Sequence, residues 1–68
     1  MKSLLRVCNM NTIEDVNSIR RAIAGNEGVL ACEISKEKGE IQIIYDTYFV
    51  EIESIIESIE DLGYTVLE

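Results

Sequence analysis

Apolar residues recur along this chain with two alternating periods, one of two residues and one near 3.6. From Ser3 to Cys8 the alternation is that of a strand, with Leu5 and Val7 on one side and Leu4, Arg6 and Cys8 on the other. Asn9-Met10-Asn11-Thr12 interrupts it, and Asn11 or Thr12 can cap a following helix by accepting a backbone N–H. From Ile13 the period lengthens. Ile13, Val16, Ile19, Ala22 and Ile23 fall on one helical stripe, and Gly25-Asn26 supplies residues that tolerate left-handed backbone where the helix must stop. Glu14 and Asp15 in the first turn, and Arg20 and Arg21 toward the last, both suit the helix dipole. A second strand is predicted over 29–35, with Leu30, Cys32 and Ile34 inward, followed by a Lys36-Glu37-Lys38-Gly39 hairpin turn in which Gly39 can take positive φ. Residues 40–45 read as a third strand, with Ile41, Ile43 and Tyr45 inward and Gln42 and Ile44 outward. Ile52, Ile55, Ile56, Ile59 and Leu62 then mark a second helix over roughly 51–62; here spacing outweighs the modest helix propensity of isoleucine. Gly63 ends that helix, and Tyr64 to Leu67 reads as a short last strand.

The order strand–helix–strand–strand–helix–strand, with right-handed crossovers, predicts an α+β fold. It is a ferredoxin-like βαββαβ sandwich, a four-stranded antiparallel sheet with two helices on one face. The first strand is then central, between the third and fourth, and the second strand lies on an edge beside the third. Cys8 falls on the open face and Cys32 on the covered face, two strands away, which is incompatible with an intrachain disulfide. Their spacing of 24 residues matches no zinc or redox motif, so both are expected as reduced thiols, Cys32 in the core.

Sixty-eight residues suit one domain, expected over 1–68, with a thin core that must use nearly every apolar side chain. No apolar run approaches a membrane span and no signal-peptide pattern opens the chain, so a soluble, cytoplasmic protein without membrane insertion is expected. The net charge of −7 is uneven: residues 1–39 hold six bases and five acids, residues 40–68 eight acids and no base. Such a surface repels nucleic acid and anionic lipid. The acids read as a solvated helix face, with docking to a basic partner as the sharper alternative. There is no His, no local nucleophile–base pair and no Gly-rich phosphate loop. No catalytic residue is assigned, and an enzyme is not expected.

The ordered landmarks Tyr45-Asp46, Val50, Ile52, Ile55-Ile56, Ile59, Leu62 and Gly63-Tyr64 resemble the heavy-metal-associated domain family, which includes copper chaperones. Leu5, Val7, Val16, Ile19, Ala22, Ile23 and Gly28-Val29 fit the first half of the same plan, so the resemblance spans the chain. It departs at the family's metal loop, whose signature is G-M-T-C-x-x-C. Here the run is Asn9-Met10-Asn11-Thr12-Ile13-Glu14-Asp15. Met10 keeps the family's core methionine, and Thr12 and Asp15 stand at the two cysteine positions. Cu(I) takes soft thiolates, two of which converge when placed at i and i+3 of a helix start; a hydroxyl and a carboxylate do not replace them.

Three readings of this loop are open. In the leading one the loop is structural, with Thr12 as cap and Asp15 as first-turn acid, and no metal or cofactor is expected. In the second, Glu14, Asp15 and carbonyls bind a hard cation. In the third, Cys8 and Met10 make a soft site for Cu(I) or another heavy metal, which requires the first strand to stay regular as far as Met10. The expected function is accordingly a non-enzymatic protein-interaction or regulatory module with a degenerate metal loop. The alternative is metal binding or transfer through non-standard ligands (Cys8, Met10 or Asp15), and a ligand-sensing domain of ferredoxin-like shape is a third class. A protein partner or a homodimer is expected on the open sheet face, through Leu4, Cys8 and Ile44.

Overall fold

A computed structural model describes residues 1–67 of the chain. The elements are β1 (Lys2–Cys8), α1 (Ile13–Ala24), β2 (Val29–Ser35), β3 (Glu40–Tyr45), α2 (Ile52–Glu60) and β4 (Thr65–Leu67). The strands form one antiparallel sheet in the order β2-β3-β1-β4, as the crossover rule requires. β1 pairs with β3 from Lys2 opposite Ile44 to Arg6 opposite Glu40, and with β4 from Arg6 opposite Leu67 to Cys8 opposite Thr65. Both helices cover one face. Ile19, Ile23, Ile41, Ile43, Ile55 and Ile59 are fully buried between the layers, with Leu5 and Val7 beside them. The β-branched isoleucines favour the strands and, where helical, are held by the packing of their stripe. Cys8 and Cys32 are free and lie on strands separated by β3.

Several expectations are corrected at element ends. Leu30 is 71% exposed. β2 carries an extra residue between Val29, which pairs with Tyr45, and Ala31, which pairs with Ile44, so Leu30 is the residue of a bulge and Val29 takes the inward place. Cys32 does point toward the core, opposite Ile43, but it is only partly buried because β2 is an edge strand. Ile13 is exposed at the first position of α1, before the helix passes over the sheet. α2 stops at Glu60, two residues short of Leu62, which is left exposed in the turn leading to Gly63. β4 begins at Thr65 rather than Tyr64.

Candidate functional site: the loop between β1 and α1

The loop opens on Asn9, whose φ of 67° makes it the non-glycine residue of positive φ among those described. Asn tolerates this left-handed backbone better than other side-chain-bearing residues. Its consequence is directional. The strand's alternation ends at Cys8, and Met10 turns inward, 3% exposed, to join the core beneath the helices. Met10 is therefore not on the face of Cys8, which corrects the Cys8–Met10 pairing that a regular strand would give.

Thr12 is the N-cap of α1, in extended backbone. Its Oγ1 accepts the N–H of Asp15 at 3.1 Å, and Asp15 Oδ2 accepts the N–H of Thr12 and of Asn11, each at 3.0 Å. This is a capping box, in which each side chain satisfies a backbone donor that the helix start leaves without a partner. Of the two capping candidates it is Thr12 that serves. The other carboxylate oxygen, Oδ1, accepts the hydroxyl of Tyr64, which comes from the turn before β4. The loop is thereby tied across the fold to the far end of the sequence.

The electrostatics follow from these donors. The Tyr64 hydroxyl, then the Asn11 and Thr12 N–H groups, stabilise the Asp15 anion and hold its carboxyl down, from 3.8 to about 2. The same contact raises the Tyr64 hydroxyl, since phenolate would face carboxylate. Asp15 thus meets three donors with its two oxygens, which favour its ionised form. Glu14 is exposed beside it. No group of three or more His, Cys, Asp or Glu among the described residues could hold a metal ion. Cys8 is partly exposed at the edge of the site, opposite Thr65. Tyr64 is the member of the network for which the sequence alone gives no partner; the Gly63-Tyr64 landmark marks its place in the family plan.

The heavy-metal-associated domain matches residues 11–65, the span from this loop to the start of β4. The chain belongs to the heavy-metal-associated domain family. The copper chaperone CopZ of Staphylococcus haemolyticus is 36% identical over 50 residues, 74% of each chain. Among solved structures, the CopZ metallochaperone superposes with a TM-score of 0.95 at 25% identity, covering 98% of this chain and all of the other. A yeast copper-transporter domain, solved in apo and Cu(I)-loaded states, gives 0.88 at 34% identity, over 96% of this chain and 89% of its own. The present chain contains no Cys-x-x-Cys run; its two cysteines are Cys8 and Cys32, 24 residues apart.

Proposed function

We propose that this chain is a single, non-enzymatic, cytoplasmic domain of the heavy-metal-associated family whose loop is closed by hydrogen bonds in place of a metal, and which works by contact with other proteins. The observation that carries the reading is the Thr12–Asp15–Tyr64 network. In this reading the reciprocal cap stands at the two positions where the family carries cysteines, and it offers a soft ion oxygen where thiolates are needed. The absence of any His supports it. The contact surface in this reading is the open sheet face, where Leu4, Ile44 and Leu67 are exposed beside Cys8 on neighbouring strands. A second copy seated there is tested by sedimentation of wild type and Ile44→Asp. The expected result is a dimer that the substitution abolishes, and equal monomers in both would remove this role for the face.

A second reading is metal carriage through Cys8. It draws support from relatives named copper chaperones and from the partly exposed Cys8 thiol next to the loop. Anaerobic Cu(I) titration against a competing chelator separates the two. The leading reading expects the chelator to keep the metal. Capture of one Cu(I) per chain, lost in Cys8→Ser, would transfer the function to the second reading.

A further inference from the structure

The chain has four aromatic residues, and two of them, Tyr48 and Phe49, lie side by side on the outside of the turn between β3 and α2. Tyr48 is 83% exposed and Phe49 57%, their rings edge to face with centroids 5.0 Å apart. The turn that presents them is built. Asp46 Oδ1 accepts the Tyr48 N–H at 2.9 Å, and the Asp46 carbonyl accepts those of Phe49 and Val50. The Asp46 N–H donates in turn to the Gly28 carbonyl at 2.8 Å. Phe49 also leans on Gly28: a Cβ there would stand 2.7 Å from the Phe49 Cβ, and Gly28 has φ +97°. A glycine at Gly28 thus lets Phe49 approach through its Cβ while most of its side chain stays in water. Exposed aromatics on a fixed support are the residues from which interface hot spots are made.

Beside this pair is an open groove of about 430 Å³, lined by Asn26, Glu27, Thr47, Tyr48, Phe49 and Glu51 among others. Neither Glu27 nor Glu51 takes part in an ion pair among the described residues, where Arg6–Glu40 is formed instead. No base lies anywhere from Gly39 to Leu67. Glu27 and Glu51 are the only charged residues lining the groove, so it is negative with an aromatic rim, and the complementary ligand is a cation on an amphipathic stem. Arginine meets this description best, pairing with carboxylate while stacking on an aromatic ring. A phosphate-bearing surface, nucleic acid or lipid, would be repelled.

We propose that this end of the molecule is a docking site for a protein partner that presents a basic segment, an arginine or lysine entering the groove lined by Glu27 and Glu51 while an apolar neighbour rests on Tyr48 and Phe49. The site is at the end of the sheet where β1 begins, since Lys2 pairs with Ile44, whereas the family's metal loop follows the end of β1. It is thus remote from that loop and independent of what the loop or the open sheet face does.

The test is a titration of the isotope-labelled chain with a short amidated peptide alternating arginine and leucine, read as amide shifts. The expected changes concentrate at Glu27, Tyr48, Phe49 and Glu51. Affinity falls about tenfold in Tyr48→Ala, a loss typical of a hot-spot aromatic, and comparably in Glu27→Gln with Glu51→Gln. Glu53→Gln with Glu57→Gln, on the same acidic helix, leaves it unchanged. All are exposed positions, and unchanged amide spectra elsewhere confirm the fold. Three results would overturn the assignment: no saturable shift, shifts spread evenly along α2 with equal loss in the Glu53/Glu57 variant, or the same residues responding to a second copy of the chain in place of the peptide.

Discussion

At the scale of single residues, the network around Asp15 makes the account measurable. Thr12→Ala removes one half of the capping box and is expected to destabilise the domain by about 1 kcal/mol, read as a lower midpoint in urea. The carboxyl has its own signature. Its pKa is lowered on folding, from 3.8 to about 2, so the folded chain binds this proton less readily than the unfolded chain. The stabilisation is fully present above about pH 5 and is lost as the pH falls through about 2. Thermal melts across that window should show wild type losing its advantage over Asp15→Asn, whereas the two differ by a constant amount above it. Tyr64, raised by the same contact, gives the opposite limb. Its stabilisation is full below its unfolded pKa and is lost as the pH rises through the raised folded value. Tyr64→Phe therefore relaxes the Asp15 carboxyl toward its ordinary value, which a carbon-detected titration would record.

At the scale of elements, the isoleucine stripes decide stability. Ile55 and Ile59 are fully buried on α2, between the helix and the sheet. Ile55→Ala is expected to cost roughly 2–5 kcal/mol, a large fraction of what so small a domain has, and to leave it partly unfolded without denaturant by circular dichroism. Gly28→Ala tests the opposite kind of constraint, since the new Cβ meets Phe49 on a backbone of φ +97°; a loss of about 1–2 kcal/mol is expected. These elements were legible in the sequence because period 2 and period 3.6 were each sustained over a whole strand or helix. The residues that escaped lie where a period begins or ends. Leu30 belongs to a bulge, which adds a residue to one strand only and so reverses the face of everything before it. Leu62 continues the spacing of α2 past the point where the backbone stops being helical. Spacing alone carries no signal for either event.

At the scale of the whole molecule, the topology brings Tyr64 to Asp15 across 49 positions of sequence. This closes the loop between β1 and α1 from the opposite terminus. The loop's cap was legible, with Thr12 and Asp15 at the start of the first helical stripe; its third partner was not, because the contact arises only once β4 is laid beside β1. The fold is thus that of a copper-chaperone-like domain, and the site is joined by donors and acceptors of hydrogen bonds. The central claim of the proposed function is that a loop closed by the Thr12–Asp15 cap gives Cu(I) no thiolate pair to bind. Its most direct test is Cu(I) titration of wild type beside the variant carrying Thr12→Cys and Asp15→Cys, followed at the amides of Asn11 to Asp15. The account predicts that wild-type loop amides do not move and that the double variant takes up one Cu(I) with shifts centred on positions 12 and 15. Movement of the wild-type loop to a bound state, or a double variant as inert as wild type, would contradict it.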